Sequence, residues 1–103
     1  MIKVSVLYPN TAGTRFDIAY YCSTHMPLVK KLMGPALKNM AVDHGLAGQL
    51  PNSPAPYHAI GHLFCDSLEA FQNSFGPHAA TIMADIPNYT NAQPIIQISA
   101  IKL

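Results

Sequence analysis

The acid–base chemistry open to this chain rests on five histidines, five tyrosines and two cysteines. The densest group is FDIAYYCSTHMPL, which begins at Phe16 and puts Tyr20, Tyr21, Cys22 and His25 on one short amphipathic stretch. Neutral imidazole can act as acid, base or metal ligand near neutral pH. His25, with a phenol four residues before it, is therefore a candidate for moving a proton. Cys22 offers a thiol beside it, although helical thiols are usually inert when buried. A second candidate is His78 in FGPHAATIMADIPNY, where it shares an apolar helical stripe with Phe75. Counted from Phe16 and Ser67, His25 and His78 fall roughly 14 and 17 Å down their helices at about 1.5 Å per residue. If the helices run parallel from one end of a sheet, both imidazoles reach one cleft at similar depth, with Tyr21 or Tyr20 adding a hydroxyl. The catalytic candidates are thus His25, His78 and Tyr21. Tyr20, Cys22, His58, His62 and Phe75 are candidates for contacting the ligand. Each also has a plain structural role open to it, since buried polar groups find partners whether or not they act.

Metal and cofactor signatures are missing. His58 and His62 lie on a predicted strand, where four residues span about 13 Å, so no single ion reaches both. A structural or catalytic zinc needs ligands converging at about 2.0–2.2 Å. There is no Gly-rich phosphate loop, dinucleotide fingerprint or G-x-S-x-G elbow. Arg15 is the only arginine, which leaves little with which to clamp a large anion. The expectation is no metal, no cofactor, and a neutral or weakly anionic, largely apolar small molecule as ligand.

Several elements must position these residues. Ile2, Val4, Val6 and Tyr8 alternate with Lys3, Ser5 and Leu7, which predicts a strand. Pro9, Asn10 and Gly13 end it. Thr14 followed by Asp17 approximates a capping box, so a helix is expected from there. Its inward face reads Ile18, Tyr21, Cys22, His25, Val29 and Leu32. Pro27 has no N–H and predicts a kink near His25; Gly34 and Pro35 stop the helix. A second strand is read over residues 37–44, a long loop over 45–56, and a third strand over 57–65. Asp66 and Glu69 suggest a second cap. Leu68, Phe71, Phe75, His78 and Ile82 then form an apolar stripe, interrupted by Gly76 and Pro77. A last strand covers residues 93–102.

The order is βαββαβ over one domain, residues 1–103. It suits an α+β ferredoxin-like sandwich, a four-stranded antiparallel sheet with two helices on one face. The crossover rule suggests that strands one and three are central and parallel. The last strand is apolar on both sides, with Ile96 and Ile98 on one and Ile95 and Ile101 on the other. The third strand repeats this, with Ile60 and Phe64 against Leu63 and Cys65. A sheet with helices on one face then needs a second cover, which another copy of the chain would supply.

Composition agrees. Half of the 103 residues are hydrophobic and only 11% are charged, against roughly 25% in typical soluble domains. The net charge of +1 offers no basic patch for nucleic acid. No stretch has the ~20 apolar residues of a membrane span, and Met1 and Ile2 lead straight into the strand pattern. Cys22 and Cys65 have no CxxC partner and read as reduced, buried thiols of a cytoplasmic protein.

The stretch YYCSTHMPLV, Tyr20 to Val29, resembles the EthD family, which is named for ethyl tert-butyl ether degradation. APYHAIGHLF from Ala55, FGPHAATIMADIPNY from Phe75 and QPIIQIS from Gln93 agree with it. The resemblance runs over nearly the whole chain. It implies a dimeric α/β barrel, in which two ferredoxin-like subunits join their sheets. Proteins of that barrel shape include isomerases, polyketide cyclases and cofactor-free oxygenases. That implies a hydrophobic carbonyl or lactone substrate, with His25 moving a proton and His78 or Tyr21 polarising the carbonyl. A non-catalytic accessory or small-molecule-binding protein of a catabolic pathway would need the same cleft without a tuned base. A haem or metal binder is a third reading, disfavoured by the missing ligand pair.

Overall fold

The alternation of Ile2, Val4, Val6 and Tyr8 becomes strand β1, Ile2–Pro9, in a computed structural model that describes residues 1–103. Val4 and Tyr8 are buried on one face, as the two-residue period of a strand requires. Strands β2 (Asn39–His44), β3 (Tyr57–Cys65) and β4 (Ile95–Ala100) complete the sheet. The order is β2-β3-β1-β4, and every neighbouring pair is antiparallel. The first helical run comprises α1 (Ile18–Tyr20), a π-helical turn (Tyr21–His25) and α2 (Met26–Met33). The second comprises α3 (Leu68–Phe75), a 3-10 turn (Gly76–His78) and α4 (Ala79–Ala84). This is the expected ferredoxin-like α+β sandwich.

One part of the expected topology is corrected. β1 and β3 are central but antiparallel, with Val4 opposite Leu63 and Tyr8 opposite Ala59. Each crossover helix does link strands of the same direction, but a third strand separates them: β3 lies between β1 and β2, and β1 between β3 and β4. The reversal between β2 and β3 makes β3 oppose β1. The two helical runs therefore leave opposite ends of the sheet and run antiparallel. His25 and His78 thus do not lie at matching depth on parallel helices.

The helix starts are also shifted. Asp17, not Thr14, caps the first run by accepting from the Tyr20 N–H at 3.0 Å. Thr14 is held in the preceding turn, where its hydroxyl donates to the Thr11 carbonyl at 2.6 Å. Ser67, not Asp66, caps α3 by accepting from the Ala70 N–H at 3.0 Å. At the far end of α2, Gly34 has φ of 65°, backbone that a side chain rarely adopts.

The irregularity expected at Pro27 takes the form of the π-helical turn just before it. Pro27 has no N–H to donate to the Ser23 carbonyl. In the turn, the Met26 N–H donates to the Tyr21 carbonyl, one residue further back than in an α-helix. The extra residue changes the phase of the buried stripe. Tyr21, His25, Met26, Val29 and Met33 face the core, and Cys22 is exposed rather than inward. Cys65, by contrast, is buried. Leu68, placed on the apolar stripe of the second helix by sequence, is also exposed.

On the sheet face away from the helices, register aligns Ile60 with Leu7 and Leu7 with Ile95. An apolar row thus crosses β3, β1 and β4. Ile95 at 53% and Ile96 at 50% exposure show that β4 is uncovered on both faces.

Candidate functional site

The helix-facing side of the sheet supplies the floor of a cavity of about 40 Å³. Val6, Gly61 and Leu63 come from the sheet, Tyr21, His25, Met26 and Val29 from the first helical run, and Phe75, Ile82 and Met83 from the second. Tyr8, Ile86, Pro94 and Ile96 close the ring. Its polar side chains are Tyr8, Tyr21 and His25; no charged residue lines it. Met83 and Ile96 are themselves largely exposed, so the cavity reaches the surface at the β4 edge.

His25 is 4% exposed and held from both sides. Its Nδ1 lies 2.9 Å from Asp85 Oδ2. Its Nε2 lies 3.4 Å from the Tyr89 hydroxyl, which in turn bonds the Tyr8 hydroxyl at 2.7 Å. A carboxylate accepts, so Nδ1 carries the proton and neutral His25 presents a lone pair at Nε2. Burial pulls the imidazole pKa below its ordinary value, and the Asp85 carboxylate works against that. Burial alone would raise the Asp85 pKa. Hydrogen bonds from Asn88 Nδ2 at 2.9 Å, the Tyr20 hydroxyl at 2.7 Å and His25 outweigh it and hold the carboxyl below its ordinary value. Asp85 is thus an ionised anchor for a neutral, oriented base, the arrangement that fixes a histidine tautomer.

The Tyr21 hydroxyl sits directly over Gly61, where a Cβ would collide with it. The Tyr21 ring meets that of Tyr8 edge-on, with centroids 5.4 Å apart. Tyr8, Tyr21 and Tyr89 are all pushed well above the ordinary phenol pKa, first of all by burial. Their rings and that of Phe16 pack edge-on or tilted, with Tyr21 stacked on His25 at 5.4 Å between centroids.

Backbone links explain how this group is assembled. The Asp17 N–H donates to the Tyr89 carbonyl at 2.8 Å, and Phe16 pairs with Thr90. The Thr90 hydroxyl donates to the Arg15 carbonyl at 2.6 Å. The start of the first helical run is therefore stitched to the segment after α4, which brings Asp85 and Tyr89 onto His25.

Of the sequence candidates, the structure brings together His25, Tyr21 and Phe75 at the cavity. Tyr20 stands outside the lining and reaches it only through Asp85. Cys22 points away. His78 is partly buried in the 3-10 turn and is not part of the lining. His58 and His62 alternate with the cavity-side residues Ala59, Gly61 and Leu63, so they lie on the opposite face. There His62 Nε2 bonds Asp43 at 2.7 Å and His58 Nε2 bonds the Thr14 hydroxyl at 2.8 Å. Because Thr14 gives its proton to Thr11, His58 is the donor. Sequence reasoning missed Asp85, Tyr89 and Tyr8 as chemistry. The signal was present in DIPNY, where a carboxylate precedes a Pro–Asn turn and a tyrosine. No group of three His, Cys, Asp or Glu side chains converges as a metal site would need, and no helix is long and apolar enough to cross a membrane.

The sheet order and the two helical runs define a ferredoxin-like protein with a buried histidine–carboxylate pair at an apolar cavity. Comparison with known proteins narrows this. The EthD domain matches residues 14–93, and the chain belongs to the EthD family. It is similar to an EthD-like protein of Ralstonia eutropha JMP134, with 47% identity over 95% of this chain and 88% of that one, and a TM-score of 0.91. An ethyl tert-butyl ether degradation (EthD) family protein of Bacillus halodurans C-125 shares 21% identity over 99% of each chain, with a TM-score of 0.69. A dimeric ferredoxin-like protein of unknown function from Thermobifida fusca shares the fold at 16% identity, covering 97% of this chain and 90% of that one, with a TM-score of 0.60. Comparison with curated proteins finds no match.

Proposed function

We propose that this EthD-family chain is a small enzyme that needs no cofactor and moves a proton on an apolar carbonyl or lactone compound. The observation that carries this reading is His25. It is buried at the cavity, with Nδ1 tied to an ionised Asp85 and Nε2 left as a lone pair. Such a base needs neither metal nor nucleotide to act. An uncharged lining favours a neutral ligand. At the ~10–15 Å³ a water-sized group needs, a cavity of about 40 Å³ takes only the reacting end of a molecule. The rest would lie along Ile86, Pro94 and Ile96 toward the mouth. Tyr21 would face the ligand's oxygen. His78 takes no part in this reading, since it does not line the cavity.

The apolar lining also suits a binding protein without turnover, and one experiment separates the two. α-Deuterium exchange of a ketone probe such as 2-heptanone, followed by NMR in D2O, reads proton transfer directly. An enzyme exchanges the probe, and His25→Gln lowers the rate by roughly 10²–10⁴ with the fold intact. A binding protein shifts the probe's resonances and leaves its protons in place. The same reading includes a homodimer built on the helix-free face, supported by the row Ile60–Leu7–Ile95 and by the exposed isoleucines of β4.

A further inference from the structure

Two phenols stand in line between the cavity and His25, and their protons can be counted. The Tyr8 hydroxyl bonds that of Tyr89 at 2.7 Å, and Tyr89 lies 3.4 Å from His25 Nε2. Tyr21 and Tyr8 line the cavity, whereas Tyr89 does not. Tyr89 is 2% exposed, so its hydroxyl has only Tyr8 and His25 to serve.

We infer that Tyr8 and Tyr89 form a proton wire from the cavity to His25, and that it takes a ligand carrying an acidic hydroxyl, an enol or a phenol. The inference rests on the reading of His25 as the proton-handling group and adds the route and the ligand class. With Nδ1–H given to Asp85, neutral His25 offers only a lone pair at Nε2. Tyr89 then donates to Nε2 and Tyr8 to Tyr89. The cavity end of the chain is the Tyr8 oxygen lone pair, which accepts a hydrogen bond and does not give one. A ligand hydroxyl satisfies it.

Proton transfer reverses every bond. The ligand O–H breaks and its proton joins Tyr8; the Tyr8 proton passes to Tyr89, and that of Tyr89 to Nε2. The electron pair of the broken O–H stays on the ligand oxygen. The products are a ligand oxyanion and an imidazolium paired with the Asp85 carboxylate. No oxidant or reductant is involved, and no phenolate stands free. The chain now donates toward the oxyanion from Tyr8. The titratable groups around His25 are Asp85 and Tyr89 after α4, Tyr8 on β1, and Tyr21 on its own helical run, with Tyr20 behind Asp85. Only His25 among them changes charge in this step.

The wire predicts a linkage that needs no knowledge of the natural substrate. A phenolate arrives already ionised, so the chain must reverse to donate to it, and His25 must take a proton from solvent. The probe is 4-nitrophenolate, titrated calorimetrically at about pH 9, where free histidine is neutral. Buffers of different ionisation enthalpy report proton uptake. Wild-type protein is expected to take up close to one proton per probe bound, with the imidazolium of His25 visible by ¹⁵N NMR in the complex. Tyr89→Phe removes one hydroxyl from the middle of the wire, and its uptake should fall to near zero while the probe still binds. Tyr8→Phe cuts the same wire at the next step and should do likewise. If uptake survives in both Phe variants but is lost in His25→Gln, the wire is overturned and His25 meets the ligand directly. If uptake persists in His25→Gln, the reading of His25 is overturned as well. A probe that does not bind wild-type protein overturns the ligand class.

Discussion

Replacing Gly61 with alanine tests the centre of the site without touching a titratable group. A Cβ at this position would overlap the Tyr21 hydroxyl oxygen, yet would stand at an ordinary 3.4 Å from the ring carbon Cζ and 3.9 Å from Cε2. The obstacle is thus a single atom. Overpacking of this kind costs about 1–3 kcal/mol. Gly61 has no left-handed backbone, so alanine there also recovers about 0.4–1 kcal/mol by restricting the unfolded chain. The expected net loss is about 1–2 kcal/mol, or a fall in Tm of roughly 4–16 °C for a domain of this size. In a Tyr21→Phe background the overlapping oxygen is gone. There Gly61→Ala should be neutral or stabilising by about 0.4–1 kcal/mol. Chemical denaturation of the four proteins yields the coupling directly. An equal cost of Gly61→Ala in both backgrounds would refute the placement of the hydroxyl over Gly61, and with it the geometry of the cavity floor.

Other expectations follow from the same contacts. His25 has a folded pKa below its ordinary 6.5, so the unfolded chain binds the proton more readily. Stability should therefore fall as pH drops below about 6.5, and fall again below about 3.8 as Asp85, also depressed, is protonated. Urea midpoints across pH 2–8 check this, and Asp85→Asn should remove the lower step; a midpoint flat from pH 7 to 5 would contradict it. On the dimer reading, light scattering should report two copies at micromolar protein, with more than about 1,000 Å² buried in total. Leu7→Glu, in the middle of the apolar row, should yield monomer; a monomeric parent chain sinks the reading. Leu46 at 92% and Leu50 at 69% exposure lie on the long loop between β2 and β3. If that loop reaches a partner subunit, replacing both with serine should weaken the dimer, and unchanged assembly would leave the loop a plain connector.

The sequence alone determined the strand alternation, the order of elements and the break at Pro27, because these depend on side-chain periodicity and on a missing N–H. It also marked His25 and Tyr21, since both fall on the buried stripe whether the turn is α or π. Cys22 shows the limit. Only the π-helical turn shifts the stripe by a residue, and that shift depends on which carbonyls tertiary packing leaves free. The pairing of His25 with Asp85 rather than His78 was decided by strand direction, which local pattern does not encode. Two split crossovers with a reversal between them set the helices antiparallel, and the β-like contact of Phe16 with Thr90 then drew the Asp85–Tyr89 segment onto the first helical run. Sixty residues separate His25 from Asp85, and 81 separate Tyr8 from Tyr89. Periodicity reaches one or two turns along a chain, so contacts at that range exist only once the sheet has closed.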